Sequence, residues 1–424
     1  MPKSAIRFNS ILFLLLVCSS NLLAAEFQRA RPERLGMSSE RLERLDAVLK
    51  SYVEDERLAG QVIMVLRNSR IAYSAANGMR DIEKQLPMTE DTLFRIASQT
   101  KAIVSTGIMI LHERGALDIA HPLSRYFPEW ADTKVAVAND LGGYHLEPLE
   151  RAITLRHLLT HTSGISYGSG PAASDWEAAK FSGWYFANKN EPIGTSISRM
   201  ASLPIDAQPG EQWIYGYNID ILGGIIEKAS GQNLADFLKQ EIFEPLGMDS
   251  TQFYLPEAEA DRLAVVYRPK AGGGIEAIPS TEGMQSQGLY TSGPKVSYSG
   301  GAGLLSTAGD YVRFLQMMLN QGELGGERIV SRKTVELMTT NHLGEMPFRD
   351  GQGFGLGFSI VTDLGTRGIM GSEGEFGWGG AYHSTYWVDP DENLVVVYLT
   401  QIIPANELDD YAKLRSGIYQ AIVD

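Results

Sequence analysis

The two ends of this 424-residue chain carry mirrored patterns, and that mirror limits its fold more than any other feature. Near the start, Leu42, Leu45, Leu49 and Val53 recur at helical spacing for about four turns. Gln61 to Arg67 then reads as a buried strand, and Asn68-Ser69 turns the chain into a second strand from Arg70 to Ala76. Near the finish the order reverses. Phe376 to Val388 and Asn393 to Gln401 read as strands joined by residues 389–392 (DPDE). A last helix follows, with Asn406 as its N-cap and Leu408, Tyr411, Leu414, Ile418 and Ile422 on one face. Helix–strand–strand at one end and strand–strand–helix at the other describe one antiparallel sheet made from both termini. The expected class is therefore α+β, an antiparallel sheet flanked by helices with a mainly helical insertion.

The middle of the chain fits that insertion. Ser98 to Arg114 reads as a helix closed by Gly115, and Leu155–Thr160, Ile219–Ala229 and Leu234–Phe243 also carry helical patterns. Long stretches rich in glycine, proline and aromatics separate them, around residues 131–150, 164–192 and 252–300. Loops of such length in a compact domain usually wall or cover a site. The expected division is a sheet domain from residues 26–97 and 296–424, and a helical, loop-rich domain over 98–295.

Residues 1–25 stand apart. Lys3 and Arg7 precede an apolar run from Ile11 to Val17, and small residues close the segment at Ala24 and Ala25. This is the pattern of a secretory signal peptide, too short to span a membrane, so export to the periplasm is expected, with cleavage before Glu26. Cys18, the single cysteine, offers lipid anchoring as the alternative. A mature chain without thiols has no disulfides, cysteine nucleophile or thiolate metal site. The seven histidines show no paired metal-ligand spacing, so neither metal nor cofactor is implied. A net charge of -14 lacks the basic footprint that a nucleic-acid partner requires, which leaves a small-molecule substrate.

One motif carries chemistry. Ser98 and Lys101 form S-x-x-K at the start of the helix that Gly115 closes. Residues three apart share a helix face, which brings an amine within reach of a hydroxyl. A serine hydroxyl is a weak nucleophile until a neighbouring base takes its proton, and a lysine serves once burial favours its neutral form. A serine at this position is also a common N-cap, so the spacing alone leaves both roles open. A second match, Ser292 with Lys295, encloses Pro294, which forbids the regular helix that gives the spacing meaning. Ser166 sits in a G-x-S-x-G match at residues 164–168, but no strand precedes it, so it reads as a loop serine.

The run FRIASQTK over residues 94–101 resembles the active-site helix of class C β-lactamases, D,D-peptidases and family VIII carboxylesterases. LRHLLTHTSG at 155–164, Pro209-Gly210, GGAGLLST at 300–307 and FGWGG at 376–380 follow in matching order. The resemblance implies the β-lactamase/penicillin-binding-protein fold and an acyl-enzyme on Ser98, with Lys101 and Tyr215 managing protons. It also implies an oxyanion hole from the backbone N–H groups of Ser98 and Ala381. Tyr217 stands where the usual Y-x-N motif has its asparagine, and Tyr215 with Asp220 is similar to the family VIII variant. Trp378, Gly379 and Gly380 replace the third lactamase motif, K-T-G, so substrate would meet Tyr217 and these three residues without the lysine that holds a lactam carboxylate. That substitution favours ester hydrolysis. A β-lactamase, D,D-peptidase or amidase is the second reading, and an inactive binding protein on the same scaffold the third. Trp184, Tyr185, Phe186 and Trp213 are candidates for an apolar pocket.

Overall fold

The computed structural model describes residues 27–140, 142–279 and 288–424. The expected leader over residues 1–25, Cys18 and the cleavage point before Glu26 lie outside the described residues. In chain order the principal elements begin with α1 (Ser39–Glu54), β1 (Gly60–Arg67), β2 (Arg70–Asp81) and β3 (Leu86–Pro87). The helices α2 (Thr100–Glu113), α3 (Leu155–Leu159), α4 (Asn218–Ser230) and α5 (Ala308–Leu319) follow. The chain then forms β4 (Gln352–Phe354), β5 (Ser359–Val361), β6 (Phe376–Gly380), β7 (Ser384–Asp389) and β8 (Leu394–Leu399), and ends in α6 (Asp410–Tyr419).

The eight strands make one sheet in the order β4-β5-β6-β7-β8-β1-β2-β3. Its two halves meet where β1 pairs antiparallel with β8, from Val62 opposite Leu399 to Arg67 opposite Leu394. Side chains alternate across that seam. Ile63, Val65, Val396 and Tyr398 turn toward Leu42, Leu45 and Leu49 of α1 and Leu414 and Ile418 of α6. Val62, Met64, Val395 and Val397 turn the other way, into a core with Val312 and Leu315 of α5 and Ile103 and Val104 of α2. Covered on both faces, β8 is buried at every position, which explains its unbroken LVVVYL sequence.

Three local expectations change. The strand expected from Phe376 to Val388 is a hairpin, because Ala381-Tyr382-His383 turn the chain, with His383 in the left-handed region at φ 59°. The last helix starts at Asp410 rather than near Asn406. Residues 404–409 are held as a loop against α1, where Tyr52 donates 2.6 Å to Asp409 and Arg57 donates to Glu407 O. Ser98 precedes the α-helix proper. It lies in a 3-10 turn over Ala97–Gln99 that leads into α2.

The hairpin decides where a site can form. Ile360 and Ser359 of β5 pair with Phe376 and Gly377, and β5 pairs no further along β6. Trp378, Gly379 and Gly380 then bond only to β7, so one edge of β6 is open beside the turn that carries Ser98.

Candidate active site

Ser98 is positioned from both sides. The short strand Phe94–Arg95 pairs with Leu305–Ser306, and Ile96 N donates to Leu304 O. Ala97 then takes a left-handed φ of 44°, which swings the chain into the 3-10 turn. Such a backbone is uncommon for a residue with a Cβ and costs of order 1 kcal/mol, repaid only by surrounding contacts. Across the gap lies the open edge of β6. A Cβ on Gly380 would stand 2.6 Å from Ile96 O, and one on Gly379 2.8 Å from Ser384 O. Only glycine allows the strand this close. Ala381, just beyond, packs with Ala97, and Ser98 and Ala381 line the same cleft of about 690 Å³.

Lys101 follows on α2, buried, and its Nζ makes three hydrogen bonds. It lies 3.3 Å from Ser98 Oγ, 3.1 Å from Tyr167 Oη and 2.6 Å from Gly301 O. The carbonyl is fixed from behind by Asp220, whose Oδ1 accepts from Gly301 N at 3.0 Å and from Ser299 Oγ at 2.5 Å. Burial raises the carboxyl pKa of Asp220, and Lys101 and these hydrogen bonds oppose the rise. Burial likewise holds His161 well below the ordinary histidine range, with Lys101 adding to the effect. His161 is thus a neutral ring, packed at a tilt against Tyr215 with the ring centres 4.6 Å apart.

Tyr167 is the site residue the sequence reasoning missed. Its hydroxyl, rather than that of Tyr215, bonds to Lys101. Burial pushes the phenol far above its usual range, with Tyr215 and Asp220 contributing, so it stays protonated. The signal was present: Tyr167 comes three residues after the LRHLLTHTSG block, inside the very G-x-S-x-G match that Ser166 fails to use. Ser166 itself accepts from Gly168 N and Ser169 N and serves the turn.

Tyr215 meets Lys101 through its ring, with Nζ 4.6 Å from the centroid. Its hydroxyl accepts from Trp378 Nε1 at 3.1 Å. Both tyrosines and Trp378 line the cleft. Tyr217 does not. It is buried, stacked on Trp176 at 5.7 Å, and its hydroxyl donates to Gly183 O, so the expectation that it meets substrate is corrected. Tyr217 directly precedes α4 and turns into an aromatic core of Trp176, Phe181 and Phe186. Of the four aromatic candidates, Trp184 lines the cleft, Tyr185 and Phe186 are buried, and Trp213 stacks on Tyr215. Ser292 and Lys295 are not paired; they bond separately to Gly288 O and Leu255 O.

The arrangement offers a hydroxyl, an amine beside it, two phenols and an open strand edge, the parts required for acyl transfer. The chain is similar to known proteins in sequence and fold. The family model described as Beta-lactamase matches residues 45–417. Esterase EstB of Burkholderia gladioli is 33% identical over 374 residues, covering 84% of this chain and 89% of the esterase. Two solved structures superpose over 90% of this chain at 25% identity. EstCE1, described as a hydrolase with promiscuous acyltransferase activity, does so with a TM-score of 0.77 and 99% of its own length covered. Simvastatin synthase (LovD) of Aspergillus terreus does so with a TM-score of 0.76 and 98% covered.

Proposed function

Because this chain belongs to the β-lactamase family, we propose that it is a carboxylesterase working through an acyl-enzyme on Ser98. The observation that carries the reading is Lys101 Nζ at 3.3 Å from Ser98 Oγ, in the wall of a cleft. A neutral amine has two N–H groups and one lone pair. In that form Gly301 O and Tyr167 Oη accept the two N–H groups, and the lone pair is left for the Ser98 hydroxyl, to which the protonated Nζ otherwise donates. Lys101 then accepts the serine proton as Oγ bonds to the ester carbonyl carbon.

The tetrahedral oxyanion is stabilised by the backbone N–H groups of Ser98 and Ala381. As the carbon–oxygen bond to the alcohol breaks, the leaving oxygen takes a proton. Tyr215 supplies it, since its oxygen accepts from Trp378 and its own proton is available. Lys101 then passes the proton it took from Ser98 to the Tyr215 phenolate, which restores both the amine and the phenol. Water enters by the reverse path and releases the acid.

Ester rather than β-lactam preference follows from Trp378. An indole lines the cleft where a lactamase cation would stand, and a lactam carboxylate beside the scissile amide loses a charge-assisted hydrogen bond there. Such a bond contributes roughly 1.5–3 kcal/mol, or about ten- to a hundred-and-fifty-fold. A fluorophosphonate probe should label the wild type, Ser166→Ala and Ser292→Ala and spare Ser98→Ala, which should also lose hydrolysis. On one wild-type preparation, kcat/KM for p-nitrophenyl butyrate should exceed that for nitrocefin. A tenfold advantage for nitrocefin would replace this reading with a β-lactamase.

A further inference from the structure

The cleft contains a cation that neither its sequence position nor any motif marks. Arg349 comes from the loop before β4 and lies open to solvent on the cleft wall. Its guanidinium stands 4.7 Å over the Trp378 ring and 5.2 Å over Phe348. Two other arginines line the same cleft, Arg367 and Arg415, and both are paired with Glu375. Arg349 differs. Among the described residues it has no carboxylate within ion-pair reach, its sequence neighbour Asp350 included, and its side-chain N–H groups have no hydrogen-bond acceptor.

Contact with a ring face uses none of the guanidinium's N–H donors, which remain available in the fork that matches a carboxylate. The indole contact restrains the side chain before binding, so less freedom is lost when an anion arrives. The chain as a whole carries a charge of -14 and repels anions at long range, so a local unpaired cation is what would admit one.

We propose that Arg349 is the anion receptor of this site, and that its preferred substrates are esters with a carboxylate several bonds from the scissile carbonyl. The distance follows from the stack. Arg349 rests on Trp378, Trp378 bonds to Tyr215, and the ring of Tyr215 lies on Lys101 beside Ser98. Two aromatic rings therefore separate the receptor from the nucleophile. A β-lactam carboxylate, adjacent to its scissile amide, does not span them. A diacid monoester, or an ester of a hydroxybenzoate, does. The inference rests on the esterase reading and names its substrate class.

Two matched pairs test it. 4-Butyryloxybenzoate against 4-butyryloxybenzamide places the charge on the alcohol side, and mono-4-nitrophenyl suberate against 4-nitrophenyl octanoate places it on the acyl side. In Arg349→Met the anionic-to-neutral ratio of kcat/KM should fall about ten- to a hundredfold for at least one pair relative to wild type. Comparing ratios cancels the intrinsic reactivity of the esters and any general damage from the substitution. Arg349→Lys should keep part of the preference, as a point charge without the fork. A fall of less than fivefold in both pairs would overturn the proposal. A separate binding arm keeps the two readings distinct. Calorimetric titration of 4-butyryloxybenzoate into Ser98→Ala and into Ser98→Ala/Arg349→Met should give a Kd at least fivefold weaker in the double variant. Equal affinities, or no binding to either, would overturn the receptor even if wild type hydrolyses neutral esters. If wild type hydrolyses none of the four, the esterase reading fails and this titration alone decides the receptor.

Discussion

Tyr167 and Tyr215 divide between them a role that one tyrosine was expected to fill. Tyr167 Oη holds Lys101 Nζ, whereas Tyr215 offers Nζ its ring and accepts from Trp378 through its hydroxyl, the hydroxyl proposed to serve the leaving group. Substitutions should separate the two. Lys101→Met and Tyr215→Phe each remove a proton-transfer group and should lower kcat by about 10²–10⁴-fold. Tyr167→Phe removes one hydrogen bond to the base and should lower kcat by roughly tenfold, with KM little changed. Steady-state kinetics on p-nitrophenyl butyrate check this, and turnover within threefold of wild type in Tyr215→Phe would assign the leaving-group proton to Tyr167. Ser98 and Lys101 were legible in sequence because a three-residue spacing on a helix is local geometry. Tyr167 was not, since its bond to Lys101 closes 66 residues of loop and helix. Tyr217 failed for a related reason: it lies two residues beyond Tyr215 in the non-helical lead into α4, where the turn of the chain rather than a helical period sets each side chain's direction. Tyr215 therefore reaches the cleft while Tyr217 goes into the core.

At the level of elements, the site depends on how closely β6 approaches the 3-10 turn of Ser98. Gly380 sets that distance. An added Cβ would press on Ser384 Oγ, a side-chain atom that can rotate away, and on Ile96 O at 2.6 Å, a backbone atom that Gln99 N holds in the 3-10 turn. Gly380→Ala should therefore displace the strand edge and, with it, the Ala381 N–H. The expected result is a loss of at least tenfold in kcat/KM and an overpacking cost of about 1–3 kcal/mol, read as a lower melting temperature. Gly309→Ala is the control, since a Cβ there meets only Thr307 Oγ1 at 3.8 Å, and it should be neutral or slightly stabilising. Unchanged kinetics in Gly380→Ala would detach the β6 edge from catalysis. The sequence marked FGWGG as a block but read through its end. Residues 381–388 have strand-forming composition, and the left-handed turn at His383 that folds them into a hairpin has no glycine to announce it.

For the whole molecule, the chain's two ends form one layer on the face of the sheet that carries α1 and α6. Leu45 of α1 packs on Gly417 of α6, and both cover Ile63 and Val396. Leu45→Ala leaves a cavity in that layer and should cost about 2–5 kcal/mol in urea unfolding. At temperatures well below its transition the variant should keep its kcat, because α2 and Trp378 pack in the cluster on the other side of the strands. A parallel loss of kcat would mean that the terminal layer bears on the site. This division also marks the limit of what the residues alone determined. Alternation along β1 and β8, helical spacing in α1 and α6, and the Ser98–Lys101 step are short-range patterns fixed by strand and helix geometry, and they gave the architecture and the proposed nucleophile. Arg349 over Trp378, Tyr167 on Lys101 and the burial of Tyr217 each depend on where a long loop comes to rest. No local period encodes such contacts, because their free energy is gained only once distant segments pack together, and only the tertiary structure decided them.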